Sequence, residues 1–497
     1  MPSRRSQPQL GNSPADGSSA SGMDDGRRLS PLDGSFLRLE SPQSHMHVGF
    51  SAVFAVPSGR ARPSVEALRE RAAGRLHEVP WCRWRLEPAP LGLSEPRWVD
   101  DVEFDLAAHI VALTPPEDRV SYASFEALRS TVLSAPLDRS RPLWQIFLVP
   151  RLEDGRVGLV GKIHHALVDG LAALEIVSLI VDPEPEVASQ RPVAWQPRAR
   201  RGRVGWVLDA VTRTFADGVG VLRAGATAAA HPATTVATAV HDARQVLGVA
   251  AEEVLSPAPP SALNAPIGAR RTLVGYHAGR DELRAARRGG GTLNDVGLAA
   301  VAGAVRALLH YDGEPPPEPL KAMVPVSMRR PGDTSAGNQI SMGTIALPVH
   351  LGSATERLGW VREQTGRLKH TDRPVAMHKL YQAAGLLPAP LRSPAARAMA
   401  TPRQFNLTVS QSPAPRGSLF LLGCELEEVY SVVPIAQGHA LAIGMVRYRQ
   451  ELFFGCYADP DALPAVPQLP RLIEAELQEL GRAATRAGAG DARGTAT

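Results

Sequence analysis

Residues 156–170 read RVGLVGKIHHALVDG, an apolar run that ends in two histidines, an aspartate and a glycine. Residues 156–163 have the length and apolar character of a buried strand. Upstream, Glu153-Asp154-Gly155 is a turn signal, and residues 143–149 (LWQIFLV) form a second apolar strand. The two strands are expected to pair as a hairpin. Downstream of Gly170, LAALEIVSLIV reads as a buried helix. Strand, short polar loop and helix in succession predict a mixed α/β (α+β) unit, with the histidines held at a strand end by rigid elements.

The rest of the chain extends this pattern. Its 497 residues are enough for two domains or more. Residues 1–28 are rich in Ser, Gly, Pro, Arg and Asp, with no apolar segment after Arg4 and Arg5, and read as a disordered tail. Order is expected from about Leu29. Residues 46–56 (MHVGFSAVFAV) predict a buried strand, and Ser64 opens a helix with Val65, Leu68, Ala72 and Leu76 on one face. The division expected is an N-terminal domain over 29–182, a crossover linker and helical segment over 183–260, a C-terminal domain over 261–481 and a disordered tail over 482–497. In the second half, residues 292–309 predict a helix, with Thr292 and Asp295 in capping-box spacing. Strands are expected at 320–327, 340–350, 418–429, 440–449 and 451–457, and helices at 354–369 and 467–481.

Composition excludes several classes. Lys and Arg total 54 against 50 Asp and Glu, a net charge of +4, too balanced for a nucleic-acid binder. Cys82, Cys424 and Cys456 are far apart, which fits neither a disulfide framework nor a CxxC zinc site and suits a reducing compartment. No run of about 18 apolar residues is present to span a bilayer. The sequence contains no Gly-x-Ser-x-Gly elbow, Walker A loop, HExxH or GxGxxG fingerprint.

The chemistry therefore falls to His164, His165, Asp169 and Gly170. A histidine titrates near neutrality and can take the proton of an alcohol as the oxygen attacks. A carboxylate is a weaker base, so Asp169 suits fixing the loop, and Gly170 suits a tight turn. Adjacent histidines in a strand face opposite sides and do not share one metal. No other ligand set presents itself, so no metal is expected. A histidine in an apolar strand is also commonly a satisfied core residue, and spacing alone leaves catalysis and packing equally open. A histidine base with no evident nucleophile suggests direct transfer in a ternary complex.

HHALVDG resembles the active-site motif of the bacterial wax ester synthase/diacylglycerol acyltransferase family, shared with condensation domains and wider coenzyme A-dependent acyltransferases. Other segments, in order, resemble the same family. They are SPLDGSFLRLE at 30–40, MHVG at 46–49, PLDRSRPLW at 136–144, Asn294-Asp295, VPVSMR at 324–329 and GNQIS at 337–341. The resemblance spans about residues 29–480. It implies two chloramphenicol-acetyltransferase-like domains with an active-site channel between them. It also implies that acyl-CoA serves as co-substrate with no cofactor, and that diacylglycerol or a fatty alcohol is acceptor. His165 is then the general base, with His164, Asp169 and Gly170 in the same catalytic loop. Asn294, Asp295, Ser410 and Trp144 become the substrate-binding candidates, Asn294 being the first candidate for the oxyanion donor. Helix capping is the simpler reading of Asn294-Asp295 from residue types alone. At 410–415 the chain has SQSPAP where the family often has SNVPGP, and Ala414 replaces a glycine.

Such acceptors are barely soluble, which implies a cytoplasmic protein peripherally associated with the inner membrane face or lipid droplets. Arg198, Arg200, Arg201 and Arg203 precede Val204, Val207, Leu208, Val211 and Phe215, with Trp206 beside them. A basic flank next to an apolar face suits docking on anionic lipid, and a core-packed helix is the commoner case. Two alternatives are carried: a condensation-type acyltransferase using a carrier-protein thioester, and a non-catalytic lipid-binding protein.

Overall fold

The computed structural model describes residues 29–88, 96–167, 176–198, 256–310, 317–327, 340–369, 400–412 and 417–494, with isolated positions at 248, 375, 379, 393–394 and 396–398. The first half runs α1 (Pro31–Leu39), β1 (His47–Ala55), α2 (Val65–Arg75), β2 (Trp84–Glu87), β3 (Arg97–Asp100), β4 (Ile110–Ala112), α3 (Tyr122–Ser134), β5 (Trp144–Val149), β6 (Val157–His164) and β7 (Val181–Asp182). The second half begins with β8 (Thr272–Ala278), α4 (Arg280–Arg287), α5 (Leu293–His310), β9 (Leu320–Ser327), β10 (Ile340–Leu347) and α6 (Ala354–Lys369). It ends with β11 (Leu407–Ser412), β12 (Phe420–Leu421), β13 (Cys424–Val432), β14 (Leu441–Tyr448), β15 (Glu451–Ala458) and α7 (Leu469–Gly494).

Two large mixed sheets flanked by helices take up all of these strands except β2 and β3, which pair in a separate two-stranded sheet. The first has the order β4-β5-β6-β1-β13-β12-β7, and the second β10-β9-β11-β14-β15-β8. The expected hairpin is present: β5 pairs antiparallel with β6 from Trp144↔Ile163 to Val149↔Gly158, and Gly155 takes φ +89° in the turn. Residues alternate along β6 as a two-sided buried strand requires. Val157, Leu159 and Ile163 pack with Leu68 and Ala72 of α2 and with its C-cap Leu76, while Val160 joins Phe125, Val132 and Leu133 of α3. Ser64 caps α2 by accepting the Ala67 N–H at 3.1 Å.

The sheets do not follow the order of the chain. The strand expected at 418–429 is two strands, and both enter the first sheet, where β13 pairs antiparallel with β1. On its other side, β13 meets the second sheet. Gly275, Gly455 and Gly444 lie side by side across β8, β15 and β14. A Cβ at Gly275 would overlap the Tyr430 ring, and one at Gly444 or Gly455 would overlap Ser431. This glycine row lets β13 of one sheet press against the face of the other. The opposite face of the second sheet is covered by α5, where Gly297 faces Met445 and Leu452.

Two sequence expectations need correction. Of the helix expected over 171–181, Ile176–Ser178 is helical, but its last residue, Val181, opens strand β7, whose backbone pairs with Phe420–Leu421 of β12. The disordered tail expected from 482 is instead a continuation of α7 through Gly494. Buried Leu469, Ile473, Leu477 and Leu480 anchor that helix, and Arg482 and Arg486 both pair with Glu479. Residues 199–255 of the crossover and helical segment expected over 183–260, the tail 1–28 and the blocks 328–339 and 413–416 lie outside the described residues, apart from Gly248. Among the described residues, no helix is long and apolar enough to cross a membrane.

Candidate active site

The site is built at the end of β6, where the strand stops pairing and the chain turns. His164 is the last strand residue and is buried; His165, the next, is half-buried. The backbone holds both firmly. The His164 N–H donates to the Leu143 carbonyl and the His165 N–H to the Met46 carbonyl, each at 2.9 Å. The turn then closes on itself, with the Leu167 N–H donating to the His164 carbonyl at 2.9 Å and the Ala166 N–H to His164 Nδ1 at 3.0 Å. Met46 has φ +49°, a left-handed conformation that a side-chain-bearing residue adopts at a cost. That conformation lies directly before β1, at the carbonyl that fixes His165.

Helix α1 supplies the walls. Ser30 caps it by accepting the Asp33 N–H at 3.1 Å, and Pro31 begins it. One turn from its end, Phe36 lays its ring flat on the His165 imidazole, with centroids 3.8 Å apart and planes 14° apart. Glu40, the C-cap residue, brings Oε2 to 3.5 Å from His164 Nε2. Arg139 grips the same oxygen through Nε at 2.9 Å and through a terminal nitrogen. Burial alone would raise the Glu40 carboxyl, but the interactions with His164 and Arg139 prevail and hold it below its ordinary value.

Further histidines crowd the site from β1 and the segment before it. His47 stands opposite His164 in the strand register, with ring centroids 6.1 Å apart, and His45 lies 5.4 Å from His47. Burial pushes the His47 imidazole well below its ordinary range, and nearby Lys162 adds to this, so it is neutral. Neither ring nitrogen of His47 has a hydrogen-bond partner among the described residues. His45 Nε2 donates to the Pro42 carbonyl at 3.0 Å, and burial together with Arg271 lowers its pKa. Segment 41–46 is also gripped by the second half: Arg271 donates to the Gln43 carbonyl, and Ser44 Oγ donates to the Ile435 carbonyl at 2.9 Å. The histidines therefore lie at the seam of the two halves.

The residues singled out from sequence distribute unevenly. His165 stacks on Phe36, and His164 lies beside Glu40 and His47. Asp169 and Gly170 lie outside the described residues. Trp144 is a core residue, fully buried, stacked on His109 and donating its Nε1–H to the Cys82 carbonyl at 2.8 Å. Asp295 caps α5: its Oδ2 accepts the Thr292 N–H at 2.8 Å, while its own N–H donates to Thr292 Oγ1 at 3.2 Å. Its other oxygen accepts the Thr365 hydroxyl at 2.7 Å, so both carboxylate oxygens are engaged within the fold. Asn294 is half-buried in the first turn of α5, and half-buried Ser410 lies on β11 opposite Gly444. Sequence reading assigned no role to Phe36, Glu40, His47 and Arg139. Each lies inside a motif segment quoted above, and that placement was the available signal.

Comparison with known proteins agrees with this architecture. A family model described as the wax ester synthase/diacylglycerol acyltransferase catalytic domain matches residues 29–297, and the C-terminal domain of the same family matches 336–481. A probable diacylglycerol O-acyltransferase of Mycobacterium tuberculosis is 31% identical over 460 residues, covering 90% of this chain and 94% of the relative. Among solved structures, the wax ester synthase/diacylglycerol acyltransferase from Marinobacter aquaeolei VT8 aligns with a TM-score of 0.65 at 24% identity, covering 92% of this chain and 99% of that one. The first condensation domain of the calcium-dependent antibiotic synthetase aligns with a TM-score of 0.53 at 15% identity, covering 92% and 96%. Both likenesses are of fold.

Proposed function

The chain belongs to the wax ester synthase/diacylglycerol acyltransferase family, and from that premise we propose that it moves a fatty acyl group from acyl-CoA to diacylglycerol, giving triacylglycerol and free coenzyme A. A long-chain alcohol is the second acceptor in this reading, giving a wax ester. His165 is the general base. It takes the acceptor's hydroxyl proton as the oxygen attacks the thioester carbonyl, and the carbon–sulfur bond of the tetrahedral intermediate then breaks. The imidazolium returns its proton to the departing thiolate. Asn294 is assigned to the oxyanion from the second half. The two substrates meet at the seam of the two sheets, and the poor solubility of the acceptor calls for contact with a lipid surface.

The observation that carries this reading is the contrast between the two histidines. His164 is buried, with its Nδ1 spent on the Ala166 N–H, whereas His165 is half-exposed and stacked on Phe36 with its backbone pinned. A base must reach its substrate and keep its orientation, and His165 meets both needs. The test offers purified protein palmitoyl-CoA with diacylglycerol or with hexadecanol and separates the products by chromatography. Triacylglycerol and wax ester are the expected products, with triacylglycerol in excess. Failure to use free acyl-CoA with either acceptor would overturn the reading in favour of a carrier-bound donor or a non-catalytic lipid role.

A further inference from the structure

We propose that Glu40, clamped by Arg139, is a positioning residue for His165 and acts through the ring of His164. The proposal rests on the acyltransferase reading above and adds a second layer to it. The His164 ring links the two residues. Its Nδ1 accepts the Ala166 N–H at 3.0 Å, so Nδ1 carries no proton and the neutral ring holds its proton on Nε2. Nε2 faces Glu40 Oε2 at 3.5 Å, with the His164 side chain 1% exposed and that of Glu40 11% exposed. A carboxylate in that position favours the Nε2–H form of the imidazole over the alternative. It thereby keeps Nδ1 free to accept.

The consequence for His165 is geometric. His165 stands between two fixed amides, its own N–H on the Met46 carbonyl and the next residue's N–H on His164 Nδ1. A His164 that carried its proton on Nδ1 would face the Ala166 N–H with another donor, and the turn would open beside the base. Glu40 also caps the helix whose Phe36 ring covers His165, its N–H donating to the Phe36 carbonyl at 3.0 Å. Arg139 fixes this corner twice, donating to Glu40 and, at 3.3 Å, to the Leu37 carbonyl. Besides tying α1 to the loop before β5, the pair holds its carboxylate 3.5 Å from the buried His164 ring. A group held about an ångström from its productive place loses much of its effect, so a remote carboxylate can govern kcat without touching substrate.

The experiment uses the full chain as wild type, Glu40→Gln, His164→Asn and the double variant. Asparagine at 164 can keep an acceptor near Nδ1 for the Ala166 N–H while removing the nitrogen that faces Glu40. Coenzyme A release from palmitoyl-CoA with diacylglycerol gives kcat and KM, and hydrogen exchange resolved at the Ala166 amide reports the turn without substrate. Glu40→Gln is expected to lower kcat by about ten-fold, to leave KM for palmitoyl-CoA within about two-fold and to speed Ala166 exchange by about ten-fold. In the His164→Asn background the same change is expected to alter kcat by less than about two-fold. Equal loss of kcat in both backgrounds would overturn the proposal, as would wild-type kcat and wild-type Ala166 exchange in Glu40→Gln. If the wild type releases no coenzyme A, the acyltransferase reading fails on its own account. The exchange rate then decides the positioning claim: faster exchange at Ala166 supports it, and an unchanged rate overturns it.

Discussion

Lys162 offers a test of the packing beneath the site. It lies two residues before His164 on β6 and is 1% exposed. Its ammonium donates to the carbonyls of Val132 at 2.9 Å and Ala135 at 2.8 Å, the open C-terminal end of α3. No carboxylate pairs with it among the described residues, and burial pushes its pKa down to about 8. The unfolded chain binds that proton up to the ordinary lysine value, near 10.5. Between those values the unfolded state holds more protons, so stability rises as pH rises through the window, and the full penalty applies below it. The shift amounts to roughly 3 kcal/mol, of which about 2 kcal/mol is recovered between pH 7 and pH 9.5. Other groups titrate there too, so the quantity to measure is a difference. Urea unfolding of the wild type and of Lys162→Met is compared at both pH values, methionine being of similar length and uncharged. The wild type is expected to gain about 2 kcal/mol relative to the variant on moving to pH 9.5. A difference that stays constant with pH, or falls, would refute the burial argument.

Three further outcomes follow from contacts already described. Phe36→Ala removes the ring stacked on His165, and with aromatic pairs worth about 0.5–1.5 kcal/mol we expect kcat to fall by up to about ten-fold, while Phe36→Tyr keeps most of it; coenzyme A release kinetics decide. Asp295→Ala breaks the cap of α5 and its bond to Thr365, so thermal denaturation should show a loss of about 1–3 kcal/mol with KM for acyl-CoA unchanged; a raised KM at unchanged stability would return Asp295 to the substrate channel. Gly303→Ala drives a Cβ into the Glu476 carboxylate and parts the buried Arg357–Glu476 pair, for a loss of about 3 kcal/mol or more, whereas Gly359→Ala, with open space around it, should stabilise α6 by up to about 1 kcal/mol in the same assay.

Much of the local structure was legible because it is encoded locally. The β5–β6 hairpin follows from two apolar runs around Glu153-Asp154-Gly155, and α5 follows from Thr292, Asp295 and a long helical period. β9 and α6 have the bounds the sequence predicts, 320–327 and 354–369. The joining of the halves was hidden. Nothing around residue 424 announces that β13 will pair with β1, nearly 400 residues earlier, because pairing register depends on the partner and not on the strand. The glycine row has the same character, since Gly275, Gly444 and Gly455 look unrelated until two strand pairings bring them level. The site shows a similar division. His164 and His165 stood out as a dense motif, but Phe36, Glu40 and Arg139 meet them only through the packing of α1. Trp144 and Asp295, singled out by motif, make hydrogen bonds within the scaffold that the motif did not announce.

His165 is proposed above as the base of an acyl-CoA-dependent O-acyltransferase. The most direct test is the release of free thiol from palmitoyl-CoA by the wild type and by His165→Ala, with and without diacylglycerol. Release is expected to require the acceptor and to fall in the variant by at least about a hundred-fold, the usual contribution of a positioned general base. The folded state of the variant is checked by its unfolding midpoint. Acceptor-dependent release at the wild-type rate from folded His165→Ala would contradict the assignment of the base and require another residue to take the proton.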